Sequence, residues 1–233
     1  MIGILVLLAL SWILLYVLDK KSILALGFLP ISKRLGQFLI GFGITAVLCI
    51  IVQYFESQLN GSHFILNDNF SVTLLLEAFW WDLKSVLTEE LMFRGALLYL
   101  LIKKTNWKIA ILISGIAFGV YHWFSFGVLG NPMAMLMVFL GTGIMGYAWA
   151  LAFYKTKSIM LAFGFHLGWN FTYNTIFSNG PLGDLVYISK GAMELSGWSS
   201  FLNFSMGMIL VPLIVLFYVT YFTKNNNAIE ATI

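Results

Sequence analysis

Long stretches without a charged side chain dominate this sequence. Five of them cover residues 1–18, 35–55, 109–154, 158–183 and 195–223. A helix needs about 20 mainly apolar residues to cross a bilayer, so these stretches predict several spanning helices. Only 10% of the residues are charged, against about 25% in a typical soluble domain. The chain is therefore predicted to be a polytopic membrane protein, and its composition argues against a soluble enzyme or a nucleic-acid binder.

The number of spans follows from two further features. Residues 109–154 are too many for one span, and Gly130-Asn131-Pro132 divides them because Pro132 suits the first turn of a helix. Residues 71–102 form another candidate that carries six charges, and one helix of this length would be roughly 48 Å long. We predict an all-α transmembrane bundle with about seven spans and up to eight helices. Residues 1–233 are expected to form one domain, with its motif-bearing core at about 71–178.

Basic residues fall in every second loop of this arrangement. Cytoplasmic loops are enriched in lysine and arginine, which predicts a multi-pass protein of the cell membrane with its N-terminus outside and its C-terminus in the cytoplasm. Residues 1–18 lack the leading charge and cleavage site of a secretory signal, so we expect a retained first span. Residues 224–233 are expected to form a short disordered end. The basic residues in these loops are Lys20, Lys21, Lys33, Arg34, Lys103, Lys104, Lys108, Lys155, Lys157 and Lys224.

Two carboxylates and an arginine lie inside the third predicted span. Ionisable residues in a span are costly and are functional candidates by default. On a helix, Glu90 and Arg94 are four residues apart and can pair, whereas Glu89 points about 100° away. One carboxylate would then be neutralised while the other is free to act on water. A network of ion pairs that only holds helices together is the alternative interpretation.

Two further spans carry histidines at a similar depth. Glu89 and His122 lie about 21 Å along their helices from the nearest basic loop, Asn170 about 20 Å and His166 about 13 Å. His166 and Asn170 are four residues apart and share a helix face. The sequence therefore predicts that these four side chains line one polar cavity.

Small residues suggest how the histidines could approach each other. Residues 115–119 and 164–168 are both GxxxG patterns, which allow close helix packing in lipid. They lie next to His122 and around His166 on the fourth and sixth predicted spans. We expect these two spans to pack together through their glycines.

Three motifs in this order resemble a known family. They are Glu-Glu-x-x-x-Arg at 89–94, Phe-x-x-x-His at 118–122 and His-x-x-x-Asn at 166–170, each on a separate hydrophobic segment. The sequence is similar to the CPBP family of CAAX-protease and bacteriocin-processing intramembrane proteases, also called the Abi family. The resemblance implies an intramembrane peptidase in which Glu89 is the base that activates water, supported by Glu90 and Arg94.

The resemblance also implies roles for the other polar residues. His122 would bind or polarise the water, while His166 and Asn170 would stabilise the oxyanion on the scissile carbonyl. Donors directed at developing charge stabilise a transition state strongly. We expect no metal and no other cofactor, because there is no His-Glu-x-x-His spacing and asparagine is a poor zinc ligand. The alternative is a Zn²⁺ enzyme with Glu89, His122 and His166 as ligands and an open position for water.

The sequence does not identify the substrate, and it is compatible with two other functions. The implied substrate is a membrane-embedded or lipidated peptide or protein, such as a prenylated CAAX protein, a bacteriocin precursor or a peptide pheromone. A non-proteolytic protein for bacteriocin self-immunity or interaction could keep the same fold. A transporter or proton relay also suits intramembrane carboxylates, but the sequence shows no inverted repeats or paired broken helices. The single cysteine, Cys49, excludes a disulfide framework.

Overall fold

The computed structural model describes residues 2–225, and these form a bundle of helices. Residues 226–233, which make up most of the predicted disordered end, lie outside the described residues. A 3-10 turn at Ile23–Leu26 follows the first helix, and π-helical segments at Phe171–Ile176 and Met206–Leu210 follow the seventh and eighth. The helices are α1 (Ile2–Asp19), α2 (Ile31–Asn60), α3 (Val72–Arg94), α4 (Ala96–Lys104), α5 (Trp107–Ser125), α6 (Pro132–Thr156), α7 (Met160–Asn170), α8 (Gly197–Ser205) and α9 (Val211–Phe222).

Within residues 2–225, five helical segments are long and apolar enough to cross a membrane. They are α1, α2, α5, α6 and the continuous stretch Gly197–Phe222 that contains α8 and α9. The two other predicted spans correspond to α3 with α4, and to α7 with the π-helical segment after it. Half of the apolar stretch of α6 is buried inside the protein, against 11% for α1. α6 therefore lies in the core, and α1 presents most of its apolar surface to the lipid. The prediction of an all-α, multi-pass membrane bundle is confirmed.

The third predicted span is not one helix, which corrects the interpretation of residues 71–102. α3 ends at Arg94 and α4 begins at Ala96, with Gly95 between them at φ −83° and ψ −141°. A Cβ at Gly95 would lie 2.1 Å from the carbonyl oxygen of Leu91. The backbone therefore leaves the helical conformation at Gly95, where any side chain would clash with the backbone of Leu91. Arg94 thereby becomes the last residue of α3.

The division of residues 109–154 is confirmed. α6 begins at Pro132, and the side chain of Asn131 caps it by accepting a hydrogen bond from the backbone N–H of Ala134 at 3.2 Å. Proline has no backbone N–H, and this removes no hydrogen bond at Pro132 because the first N–H groups of a helix have no intrahelical partner.

The glycines of α7 pack against α2. A Cβ on Gly164 would lie 2.2 Å from the carbonyl oxygen of Phe38, and a Cβ on Gly168 would lie 2.3 Å from that of Phe42. The Thr45 hydroxyl of α2 also donates a hydrogen bond to the Phe165 carbonyl at 2.7 Å. The two backbones therefore approach as closely as glycine allows.

The expectation that the glycines join the fourth and sixth spans, now α5 and α7, is wrong. The glycines of α5 face α6 instead, since a Cβ on Gly115 would lie 3.1 Å from the Gly143 carbonyl oxygen and one on Gly119 would lie 2.8 Å from Phe139. A GxxxG pattern marks a helix face for close packing but does not identify its partner helix.

A short antiparallel sheet covers one end of the bundle, which the sequence analysis did not predict. β1 (His63–Leu66) follows α2, and β2 (Tyr187–Lys190) lies in the segment before α8, with His63 opposite Lys190. The Asn67 side chain donates hydrogen bonds to the carbonyl oxygens of Asp184 and Leu185 at 2.9 and 3.0 Å. These four-residue strands lack the alternating pattern that identifies strands in a sequence.

The basic loops lie together at the other end of the bundle. Asp19 at the end of α1 forms an ion pair with Lys103 at the end of α4. Arg34 near the start of α2 donates to the carbonyl oxygen of Thr156 at the end of α6 at 3.0 Å. The loops that the seven-span arrangement places on one side of the membrane are therefore neighbours in space.

The close packing of α2 and α7 generates a test. Gly164→Ala should lower the stability by about 1–3 kcal/mol, because the new methyl group overlaps backbone that cannot move independently. Gly43→Ala on α2 is the matched control, since nothing lies within 4 Å of its added Cβ. Thermal unfolding of both variants in detergent measures the difference. Equal melting temperatures would show that these backbones are not in close contact.

Candidate active site

Glu90 and Arg94 form a fully buried ion pair at the end of α3. Arg94 Nη2 lies 3.3 Å from Glu90 Oε1, and both side chains are 0% exposed. The pairing predicted from their spacing is confirmed. The guanidinium also lies against two rings, with its Cζ 4.2 Å from the centre of Phe118 and 4.8 Å from that of Trp149. The rings and the carboxylate together stabilise a charge that has no access to water.

His166 of α7 binds the same carboxylate. Its Nδ1 lies 2.9 Å from Glu90 Oε1, and its ring stacks on Trp149 with centres 4.3 Å apart. An ionised carboxylate only accepts hydrogen bonds, so Nδ1 donates and Nε2 points away from Glu90. Glu90 thus joins α3 to α7, a contact that spacing along one helix could not reveal.

His122 of α5 is held in the same manner by its own helix. Its Nδ1 donates to the carbonyl oxygen of Phe118 at 2.8 Å. A carbonyl can only accept, so this ring also has its Nε2 available for another partner. The Phe-x-x-x-His spacing of the motif supplies this contact, because the two residues are one turn apart.

Both histidines present Nε2 to Glu89. Glu89 Oε2 lies 3.8 Å from Nε2 of His166 and 4.0 Å from Nε2 of His122. Glu89 Oε2 is buried and has no hydrogen-bond partner within residues 2–225. These separations are too long for direct hydrogen bonds, and a water molecule beside Glu89 Oε2 could also reach an imidazole Nε2. The arrangement can therefore place a small nucleophile between a carboxylate and an imidazole.

The structure thus brings five of the six predicted site residues together, from three helices. The sixth, Asn170, is the last residue of α7, is half-buried and lies one turn after His166. Asn170 shares the helix face of His166, which is the position that its spacing predicts. The converging residues are Glu89, Glu90, Arg94, His122 and His166.

Asp82 is a buried carboxylate that the sequence analysis did not assign to the site. It is 0% exposed and accepts hydrogen bonds from Asn174 Nδ2 and Thr175 Oγ1, both at 2.7 Å. It lies two turns before Glu89 on the same side of α3. Its partners belong to the π-helical segment after α7. Asp82 therefore fixes α3 to the end of α7, and its position seven residues before Glu89 in an apolar segment was the available signal.

Comparison with known proteins supports the resemblance that the motifs suggest. Residues 70–172 match the family model described as type II CAAX prenyl endopeptidase Rce1-like. The predicted resemblance is confirmed. The matched residues include all six members of the candidate site and the whole of α3 to α7. The Rce1-like family is a family of proteases, so a protease of the membrane is what this region resembles. No curated protein and no solved structure matches the chain.

The contacts of Asp82 generate a test of how the site is held. Asp82→Ala should lower the stability by about 2–3 kcal/mol, because it leaves the buried Thr175 hydroxyl and the half-buried Asn174 amide without their acceptor. Glu77→Ala on the exposed side of the same helix should change it by less than about 0.5 kcal/mol. Thermal unfolding of the purified variants compares the two. An Asp82→Ala protein as stable as Glu77→Ala would contradict the role of this link.

Proposed function

We propose that this protein is an intramembrane endopeptidase that hydrolyses a peptide bond of a membrane-embedded or lipidated substrate. The observation that carries the proposal is the position of Glu89 Oε2, which lies within 4.0 Å of Nε2 on both His122 and His166. The similarity of residues 70–172 to the Rce1-like endopeptidases supports the same reaction class. Prenylated CAAX proteins, bacteriocin precursors and peptide pheromones all satisfy the requirement for a substrate at the membrane.

In the proposed reaction, Glu89 accepts a proton from a water molecule held between it and His122. The water oxygen attacks the scissile carbonyl carbon, and the carbonyl π electrons move to its oxygen. The tetrahedral intermediate then collapses, the C–N bond breaks, and Glu89 returns the proton to the leaving amine. A carboxylate with few hydrogen-bond donors around it is a stronger base than one in water.

The oxyanion would be stabilised by His166 and Asn170. His166 donates from Nε2 only when both ring nitrogens carry protons, because Nδ1 already donates to Glu90. Arg94 and Glu90 then act as positioning residues that fix the His166 ring. The Asn170 amide would supply the second donor.

We propose that the reaction runs without a metal, and the site allows one alternative. Nδ1 of both histidines is occupied by an acceptor while both Nε2 atoms face Glu89, which is how imidazole ligands of zinc are usually oriented. Tetrahedral ligands about 2 Å from zinc lie about 3.3 Å apart, less than the 3.8 and 4.0 Å observed. Within residues 2–225, no group of three His, Cys, Asp or Glu side chains has the geometry of a metal site. If bound, zinc would lower the pKa of its water.

We further propose that the protein lies in the cell membrane with its N-terminus outside and its C-terminus in the cytoplasm. The grouping of the basic loops at one end of the bundle supports this orientation, because such loops are typical of the cytoplasmic side.

The role of Glu89 is tested by Glu89→Gln. This nearly isosteric change should reduce peptide cleavage by about 10²–10⁴-fold or more, because an amide cannot accept the proton of water. Glu77→Gln removes the same charge from an exposed position of α3 and should leave cleavage unchanged. Peptides in membranes and medium are compared by mass spectrometry between cells that produce either variant. Cleavage at the wild-type level in a folded Glu89→Gln protein would exclude this mechanism.

The choice between a metal-free and a zinc site is tested separately. Elemental analysis of the purified protein should show no stoichiometric metal, and a chelator should leave its activity unchanged. His122→Ala and His166→Ala each remove one ligand of the alternative zinc site, and their metal content is compared with that of the wild type. One tightly held zinc per chain that is lost in both variants would favour the zinc mechanism instead.

A further inference from the structure

A cavity of about 650 Å³ opens at the basic end of the bundle. It lies between the 3-10 turn after α1, the start of α2, the end of α4, the start of α5 and the end of α6. No acidic side chain lines it within the described part of the chain, whereas four basic residues do, namely Lys21, Arg34, Lys103 and Lys157. None of the six candidate active-site residues contributes to it. The cavity is therefore separate from the proposed catalytic site, and its lining is basic, with Asp19 paired to Lys103 at its edge.

Arg34 is the buried member of these four basic residues. It is 7% exposed, its Nε donates to the Leu29 carbonyl at 2.9 Å, and its Nη1 donates to Gln37 Oε1 and the Thr156 carbonyl, both at 3.0 Å. All of these acceptors are neutral, and no carboxylate within residues 2–225 forms an ion pair with it. A buried cation without a counter-charge is costly. An anion in the cavity would supply that charge.

The remaining walls of the cavity are mainly apolar, so they fit a ligand that also has an apolar part. Trp107 stacks on Tyr154 with ring centres 4.7 Å apart, and both residue types are enriched where helices leave the hydrocarbon layer. Leu24 and Leu29, which are 53% and 50% exposed, line the same cavity. Apolar and cationic surfaces in one cavity fit a molecule with an anionic head and hydrocarbon tails.

We propose that this cavity binds the headgroup of an anionic phospholipid. The phosphate would lie against Arg34 and the neighbouring lysines, and the acyl chains would leave along the exposed leucines. Arginine suits this role because its guanidinium keeps its charge and donates to phosphate oxygens. The hydrogen bonds of Arg34 to protein acceptors use Nε and Nη1, so Nη2 is the donor that would contact the phosphate. Basic pockets between transmembrane helices are known to bind anionic headgroups, and the bilayer supplies such lipids at high local concentration. The lipid would join the ends of five helical elements and stabilise the bundle from the side opposite to the sheet.

The test compares two charge-matched double variants of the full chain in detergent. Lys21→Gln with Lys157→Gln removes two cavity lysines and leaves Arg34 and the Asp19–Lys103 pair intact. Lys33→Gln with Lys104→Gln removes the same charge from exposed helix-end positions outside the cavity at the same end of the bundle. The probes are phosphatidylglycerol, phosphatidylcholine with the same acyl chains, and glycerol phosphate. Native mass spectrometry measures retained lipid, and thermal unfolding measures stabilisation.

Phosphatidylglycerol should be retained by the wild type and raise its melting temperature more than phosphatidylcholine does. The cavity variant should bind it roughly 10- to 30-fold more weakly, because each basic residue near an anionic headgroup contributes about a fivefold factor. The exposed-lysine variant should bind it like the wild type. Equal weakening in both variants, or no preference for phosphatidylglycerol in the wild type, would overturn the proposal. An equal stabilisation by glycerol phosphate would assign a site for soluble anions instead of a lipid.

Discussion

Glu90 is the contact on which the arrangement of the candidate site depends. One of its oxygens receives both the Arg94 guanidinium and the His166 imidazole, at 3.3 and 2.9 Å. In a membrane no bulk water is available to satisfy these groups, so each must find its partner inside the protein. Removal of Glu90 would leave a buried cation and would release His166. The carboxylate next to it, Glu89, can remain available for chemistry because Glu90 already holds the structural charge.

Close helix packing brings the polar residues to this point without joining them directly. α7 lies on α2 through Gly164 and Gly168, and α5 lies on α6 through Gly115 and Gly119. Each histidine is thus placed by a helix pair of its own, and both face Glu89 of α3. The Phe118 ring of α5 also contacts both imidazoles, with centres 4.4 Å from His122 and 5.9 Å from His166. Asp82 adds a second link between α3 and the segment after α7. The site is assembled by several packed interfaces, so its geometry responds to changes far from the reacting atoms.

The two ends of the bundle differ in the interactions that hold them. Backbone pairing between β1 and β2, together with Asn67, joins the loops at one end. Charged side chains join the helices at the other end, where Arg34 and the Asp19–Lys103 pair lie. Within residues 2–225, Arg34 at this second end has no carboxylate partner and lies beside apolar walls, which is why a lipid headgroup is proposed there.

The sequence alone determined the helical membrane fold, the Glu90–Arg94 pair and the residue types of the site. These follow from uncharged segments and from spacing along single helices, which are local properties of a chain in lipid. The tertiary structure decided which helices pack on each other, where α3 ends, and that Glu90 binds His166 and Asp82 binds Asn174. A glycine face or a buried carboxylate requires a partner, but many surfaces in a bundle can provide one. Only the packing of the whole bundle selects among them.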